Sequence, residues 1–160
     1  MIEIKLSKGK VAMVDDEDYE RINKFKWFTY EKLYLKCSSY AMTNIRISGK
    51  RRHLQMHRFI MNTPENLQVD HIDHNGLNNQ KSNLRNCTRQ QNNFNSRSQK
   101  GNYKGVFIDK KNKKNPFRAR IRHNTKEIYI GSFKTAKEAG FAYDNKAKEL
   151  FKEFAHLNFK

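Results

Sequence analysis

The chain has 160 residues, a formal net charge of +17 and a sequence pI near 10.0. Such an excess of positive charge opposes compact folding by self-repulsion and indicates a polyanionic partner, nucleic acid first and an anionic membrane surface a distant second. The sequence has no run of 18 apolar residues, which excludes a transmembrane helix, and its first ten residues lack the apolar core of a signal peptide.

The two cysteines, Cys37 and Cys87, are not in CxxC spacing. We therefore expect neither a zinc cluster nor a disulfide framework. Both thiols should be reduced in a cytosol-like compartment, which predicts a cytoplasmic protein that associates with the nucleoid when it binds DNA.

Residues 1–56 are predicted to form a small β-rich module. Short strands are expected at "IEIKL" and "VAMV", then a helix at "DDEDYERINKFK", whose acids precede its lysines as the helix dipole favours. Aromatic and β-branched residues predict further strands at "KWFTY", "LYLKC" and "YAMTNIRI", and "SGKRR" is predicted to be a basic turn.

Residues 57–95 predict the order strand, loop, strand, helix. Two short β signals, "LQVDHI" and "NLRNC", flank the polar loop "DHNGLNNQKS". Thr88 and Gln91 are spaced as a capping box, so a helix should begin near Arg89.

The polar stretch "VDHIDHNG" contains side chains that can bind a metal ion or accept a proton. Asp70 and Asn92 supply hard oxygen donors, which suit Mg²⁺ or Mn²⁺ when phosphate and water complete the coordination. His71 has an imidazole that is largely neutral at cellular pH, as a general base must be. Asn83 could bridge the two strands or hold the His71 ring in one tautomer.

The segment "VDHIDHNGLNNQKSNLRNCTRQQNNFN", with the lead-in "MHRFIM", resembles the HNH motif of phage and intron-encoded homing endonucleases, a ββα-metal fold. The resemblance implies that His71 is the general base, that Asp70 and Asn92 bind Mg²⁺ or Mn²⁺, and that Asn83 is the structural asparagine. We expect Asp73 to belong to a polar turn. Three residues are kept as possible accessory site residues: His57, His74 and Asn95.

Residues 96–102 are polar and predict a linker, and residues 103–160 predict a second module. Strands are expected at "YKGVFID", "FRARIRH" and "KEIYIGSF". A helix should follow them, with a capping box formed by Thr135 and Glu138 at its N-terminus. Residues 97–126 contain eleven basic residues and one acidic residue. In "FRARIR" three arginines alternate with apolar residues, so one sheet face should be available to phosphates or guanine edges.

This second module resembles the APETALA-type domain of plant ethylene-response factors, which lays a three-stranded sheet in the DNA major groove. The resemblance covers "YKGVFID", "FRARIR", "YIGSFKTAKEAGFAYDNKAKELF" and "FAHLNF". Phe107 stands where plant members have arginine, so a base preference cannot be transferred. The predicted DNA contacts are four residues matched to that family and two added for their charge: Lys104, Arg120, Arg122 and Tyr129, with Arg118 and Lys126.

The sequence therefore predicts an α+β protein: a β-rich module (1–56), a ββα-metal core (57–95), a linker (96–102), and a three-stranded antiparallel sheet with one helix (103–160). The main hypothesis is a site-specific, metal-dependent endonuclease that acts on double-stranded DNA as a monomer or weak dimer. A DNA-binding regulator with a non-catalytic HNH-like scaffold is the alternative, and a basic RNA-binding accessory protein is a weaker third.

Overall fold

The computed structural model describes residues 1–31, 39–98 and 103–159. The predicted strand "LYLKC" and the end of the predicted linker, residues 99–102, lie outside these ranges. The chain forms two compact units, Met1–Arg89 and Gln90–Lys160, which are described separately below. The α+β class predicted from the sequence is confirmed, because several small antiparallel sheets alternate with a few helices.

The described residues of the first unit form three antiparallel sheets, with strand orders β1-β2, β3-β4-β5 and β6-β7. Its strands are β1 (Ile2–Lys5), β2 (Val11–Val14), β3 (Phe28–Tyr30), β4 (Tyr40–Ile47), β5 (Lys50–Gln55), β6 (Gln68–His71) and β7 (Leu84–Cys87). Its helices are α1 (Tyr19–Ile22) and α2 (Met56–Met61).

One apolar core joins these elements. Its buried residues come from the N-terminal hairpin, the two helices, the β6-β7 pair, strand β4 and the position just before β3: Ile4, Ala12, Val14, Ile22, Trp27, Ala41, Met56, Ile60, Val69 and Leu84. The predicted boundary at residue 56 falls inside this unit. Val69 and Leu84 anchor the strands that carry the polar stretch, so packing of the core fixes where that stretch emerges.

Two elements of this unit differ from the sequence prediction. The helix expected over residues 15–26 is only the four-residue α1, preceded by a single 3₁₀ turn at Asp16–Asp18. The acids gathered there bind Lys81 and Arg21 rather than extend a helix. The basic turn expected at "SGKRR" is reduced to Ser48 and Gly49, because Lys50–Gln55 pairs with β4 as a strand.

In the second unit, the part of the chain that the structure describes forms a three-stranded antiparallel sheet, in the order β10-β9-β8, packed against one long helix. Its elements are α3 (Arg89–Phe94), which begins at the unit boundary, β8 (Val106–Ile108), β9 (Phe117–His123), β10 (Lys126–Phe133) and α4 (Ala136–Phe151). The predicted start of α3 at Arg89 is confirmed.

The N-terminus of α4 has the predicted capping box. The Thr135 hydroxyl accepts from the Glu138 amide, and the Glu138 carboxylate accepts from the Thr135 amide. Such a cap stabilises a helix by about 1 kcal/mol. Tyr143 of α4 packs so close to Gly105 that a β-carbon there would lie 2.0 Å from the Tyr143 ring. Gly105 also has φ +74°, so glycine is required at this position.

Candidate active site

The β6-β7 pair holds Asp70 and His71 at the last two positions of β6. Both are buried, with 5% and 7% of their surface exposed. Asp70 lies opposite Arg85 and His71 lies opposite Leu84. Neighbouring side chains on a strand point to opposite faces, so the two residues contact different groups. They can serve one site only because β6 ends at His71. The strand pair closes where the Ile72 amide donates to the Asn83 carbonyl at 2.9 Å.

Asp70 is bound by the guanidinium of its cross-strand neighbour. Arg85 donates from Nε at 2.9 Å and from Nη2 at 2.7 Å, and both of these hydrogen bonds end on Oδ2 of Asp70. The Arg85 side chain is 16% exposed, so the ion pair is shielded from solvent. No role for Arg85 was predicted from the sequence, because only the β6-β7 register reveals that it faces Asp70.

His71 lies in a cluster of rings. The centroid of its imidazole is 5.0 Å from that of His57, in an edge-to-face arrangement, and 5.8 Å from that of Tyr40. His57 is itself buried, and its Nε2 is 3.2 Å from the Oε1 of Gln55. These contacts contribute to the burial of the His71 ring.

Burial lowers the pKa of both imidazoles. For His71 burial is the largest cause, and it outweighs the hydrogen bond to Asn79 and the nearby carboxylates of Asp73 and Asp70, which raise the pKa. For His57 burial, reinforced by the neighbouring His71 and Arg58, lowers the pKa to about 3. Both rings are therefore neutral near pH 7, and His71 is in the form that accepts a proton.

Asn79, which was not predicted from the sequence, orients the His71 ring. It is fully buried, and its Oδ1 lies 3.5 Å from Nε2 of His71. The amide nitrogen of the same side chain donates to the Leu77 carbonyl, so Oδ1 faces the imidazole and can only accept. This contact favours a hydrogen on Nε2 of His71, and that tautomer has the lone pair of the neutral ring on Nδ1.

Strand β2 fixes the loop that carries Asn79. The Asn79 amide donates to the Met13 carbonyl at 2.8 Å, and the Met13 amide donates to the Leu77 carbonyl at the same distance. A β-carbon on Gly76 would lie 2.7 Å from the Tyr40 ring, so this part of the loop accepts only glycine. Because these partners are far away in the sequence, local motifs gave no signal for Asn79.

Asn83 organises the loop rather than the imidazole. Its Nδ2 donates to Oδ1 of Asp73 and to the carbonyl of Asn78, both at 2.9 Å, and its Oδ1 accepts from the Asp73 amide at 3.0 Å. Of the two roles predicted for Asn83, the contact that orients His71 is made by Asn79 instead. A structural role for Asn83 agrees with its hydrogen bonds.

Asp73 forms the polar turn expected for it. Burial acts to raise its pKa, but hydrogen bonds from the Asn75 amide, Asn78 and Asn83 outweigh this effect, and the net pKa is lowered. His74 follows in the left-handed region with φ 65°, and its amide donates to the His71 carbonyl at 3.0 Å. A role of His74 or His57 in binding DNA stays a prediction.

Asn92 lies on α3 in the second unit and is half-buried, and Asn95 follows that helix and is buried. Within its unit, α3 is anchored by Phe94, whose ring stacks on Phe151 with centroids 3.7 Å apart. Among the described ranges of the chain, no group of three or more His, Cys, Asp or Glu side chains forms a metal site. That Asp70 and Asn92 share one ion stays a prediction.

The second unit presents the predicted basic face. Arg120 lies opposite Tyr129 and Arg118 opposite Phe107, and both aromatic rings are exposed. Arg118 forms an ion pair with Asp109, and Arg120 with Glu127, while the Arg120 guanidinium also lies 3.9 Å from the Phe107 ring centroid. Ala119 and Ile121 are buried on the other face, so the predicted alternation of this strand is confirmed.

Two residues predicted to contact DNA have surroundings that differ from those of the arginines: Lys104 and Lys126. The Nζ of Lys104 donates to the Phe94 carbonyl at 2.6 Å, and burial lowers the pKa of this ammonium to about 8. Lys126 is exposed but lies opposite His123, so by the period of two it belongs to the other face of the sheet from Arg118 and Arg122. Their roles in binding DNA stay predictions.

Comparison with known proteins identifies the family. Residues 62–94 match the family model described as HNH endonuclease, and this range contains both strands, the polar loop and α3. The chain is 38% identical over 157 residues to an uncharacterized HNH endonuclease of Acanthamoeba polyphaga mimivirus, with 94% of this chain and 76% of that protein aligned. No solved structure matches the chain.

The protein belongs to the HNH endonuclease family, and this membership supports nuclease activity. The match to the family model ends at residue 94, so the resemblance of the second unit to an APETALA-type domain stays a prediction. Among the described residues, every helix is too short or too polar to span a bilayer.

Proposed function

We propose that this protein is a site-specific DNA endonuclease that hydrolyses a phosphodiester with one divalent ion and a histidine general base. The observation that carries the proposal is the buried Asp70-His71 pair at the end of β6, within the range matched to the HNH family. The net charge of +17 suits a duplex DNA substrate. The sequence resemblance adds that the activity is of the homing-endonuclease type.

His71 is proposed to take the proton from the attacking water. Burial keeps its ring neutral, and Asn79 directs the lone pair to Nδ1, so this atom is the proposed proton acceptor. Asn83 is proposed to play a structural role, because its side chain holds the polar loop that follows His71. A positioned base of this kind typically contributes 10²- to 10⁴-fold to the rate.

Asp70 and Asn92 are proposed to hold the divalent ion. A carboxylate and an amide oxygen are hard donors, and two protein ligands suffice for Mg²⁺ or Mn²⁺ when phosphate oxygens and water fill the remaining positions. When bound, the ion supplies positive charge against the developing charge on the phosphate and the leaving oxygen. The sulfur ligands of a zinc site are absent from this donor set, which favours Mg²⁺ or Mn²⁺.

The second unit is proposed to extend the stretch of DNA that the protein contacts and recognises. Its exposed arginines and Tyr129 form a face that suits phosphates and base edges. Arg118 and Arg120 already pair with carboxylates, so DNA must replace those contacts. The APETALA-type resemblance is a proposal, and so are the contacts assigned to Lys104, Lys126 and Asn95.

The test is a plasmid-nicking assay with Mg²⁺. His71→Ala should cut 10²- to 10⁴-fold more slowly than the parent protein, because the proton acceptor is removed. His53→Ala is the control, since His53 is exposed and in the same unit. Equal cutting by His71→Ala and the parent would remove His71 from the mechanism.

A DNA-binding regulator is the second candidate, and the basic face of the second unit favours it. A pure binder gains nothing from a buried carboxylate beside the backbone phosphates, because the two repel each other. Tight binding that needs no metal, without cleavage of any candidate site, would support the regulator. Nicking that requires Mg²⁺ and His71 would exclude it.

A further inference from the structure

Asp70, the carboxylate proposed to bind the metal, already has a cationic partner on the neighbouring strand. Arg85 faces it directly across the β6-β7 pair, and its Nε and Nη2 donate to Oδ2 of Asp70, at 2.9 and 2.7 Å. With Asp70 5% exposed and Arg85 16% exposed, the pair is largely removed from water. Charge–charge interactions in such surroundings are stronger than those at an exposed surface.

A divalent ion that binds Asp70 must share the carboxylate with this guanidinium. The two cations repel each other at short range, and the ion can approach Oδ2 only if the Arg85 donors move away. The ion pair therefore reduces the metal affinity while it holds the carboxylate in one orientation. These two effects act in opposite directions, and this makes them separable by experiment.

We infer that Arg85 is a positioning residue that holds the Asp70 carboxylate for catalysis and competes with the divalent ion for it. The inference rests on the proposed function, in which Asp70 is a metal ligand. It predicts weak metal binding in the absence of DNA. The scissile phosphate would place negative charge next to both the Arg85 guanidinium and the divalent ion. The metal should therefore bind more tightly when duplex DNA is present.

A second arginine in the same unit provides the matched control. Arg58 is half-buried and donates to three backbone carbonyls, those of Thr63, Pro64 and Leu67, at 2.8 to 3.1 Å. Among the described residues, these hydrogen bonds join Arg58 to backbone carbonyls and not to a carboxylate. Arg58→Met therefore removes the same charge and the same bulk from the unit without removing a partner of Asp70.

The experiment is a Mn²⁺ titration followed by electron paramagnetic resonance, with the full chain and without DNA. Arg85→Met should bind Mn²⁺ about tenfold more tightly than the parent, because the competing charge is gone. Its cleavage rate at saturating Mn²⁺ should fall about tenfold or more, because the carboxylate is no longer held in one orientation. Arg58→Met should leave the Mn²⁺ affinity unchanged, and Arg85→Lys, which keeps the charge, should stay near the parent value.

Unchanged or weaker Mn²⁺ binding by folded Arg85→Met overturns the inference, because a merely structural role predicts no gain in affinity. Arg85→Gln is the second neutral variant, and circular dichroism checks the fold of each. If neither neutral variant folds, Arg85 is a structural requirement and the competition is rejected.

Asp70→Asn separates this result from the proposed function. If Asp70→Asn binds Mn²⁺ as the parent does, the proposed metal site itself is wrong. If Asp70→Asn binds more weakly and Arg85→Met does not bind more tightly, only the role of Arg85 is wrong.

Discussion

The two units use polar residues in opposite ways. In the first unit the groups proposed for chemistry are buried: Asp70, His71, Asn79 and Asn83 are each 8% exposed or less. In the second unit the arginines of β9 and Tyr129, which are proposed to bind DNA, lie on an open sheet face, and Tyr129 is 62% exposed. Burial sets protonation states and orientation, whereas exposed charge attracts a polyanion and is screened by salt. Variants of the first unit should therefore alter rate and pH dependence, and variants of the second should alter affinity and salt dependence.

The largest effect in this comparison is expected from Asn79→Ala. Without Oδ1 the His71 ring loses a contact that fixes its tautomer, and the cleavage rate should fall about tenfold to a hundredfold. The hydrogen bond that His71 makes to Oδ1 of Asn79 raises the pKa of His71, so its removal should move the acid limb of the pH–rate profile to lower pH. Single-turnover cleavage between about pH 5 and pH 8, the range in which histidines titrate, measures both changes.

Asn44→Ala is the control for that experiment, because Asn44 is exposed on β4 of the same unit. It should cleave at the parent rate at every pH. A rate for Asn79→Ala equal to that of Asn44→Ala would mean that the ring needs no fixed tautomer, and the assignment of Asn79 would be withdrawn.

The next effect concerns the basic face of the second unit. Replacing Arg118, Arg120 and Arg122 by Gln should weaken duplex binding about tenfold or more near 0.15 M salt. The slope of log affinity against log salt should become shallower by about 0.9 for each phosphate that the protein no longer neutralises. Fluorescence anisotropy without divalent metal measures binding with no cleavage.

A charge-matched variant tests whether position matters. Lys134, Lys137 and Lys148 are exposed on or just before α4, which packs against the buried face of the sheet. Their replacement by Gln removes the same charge and should change the slope by less than half as much. If both triple variants change the slope equally, only the net charge matters and the sheet face has no special role.

The smallest effect is a change in stability with pH that His57 causes. Its pKa is about 3 in the folded protein against 6.5 ordinarily. Between these values the unfolded chain binds a proton that the folded chain does not, so the free energy of unfolding decreases as the pH falls below about 6.5. His57→Phe keeps a ring in the cluster and removes this titration.

Urea unfolding at about pH 7 and about pH 5.5, on either side of the ordinary histidine pKa, measures the effect. The parent protein should lose about 1 kcal/mol more than His57→Phe between these two pH values. An identical loss in both proteins would show that the His57 ring gains its proton as readily when folded as when unfolded.

The sequence predicted elements where local patterns are strong. Alternation in "FRARIR" and the Thr135 capping box placed β9 and the start of α4 correctly, because a strand period and a helix cap are local properties. The helix expected at the acidic stretch before α1 was too long, because acids of that stretch pair with Lys81 across the unit. A contact between residues more than sixty positions apart cannot be detected from a short stretch of sequence.

The candidate site likewise contains residues that the sequence predicted and residues that only the structure identified. Asp70, His71 and Asn83 stand out by residue type and spacing, and the family match covers them. Asn79 and Arg85 were not assigned, because their roles depend on the loop held by β2 and on the β6-β7 register. The polar loop offers several asparagines, and only the folded chain distinguishes the one that faces the imidazole.

The most direct test of the proposed metal centre is anomalous diffraction from a crystal soaked with Mn²⁺. We predict one peak bound by oxygens of both Asp70 and Asn92, at about 2.1 Å from each. Manganese bound elsewhere, with these two side chains uninvolved, would contradict the proposed metal centre and with it the hydrolytic mechanism.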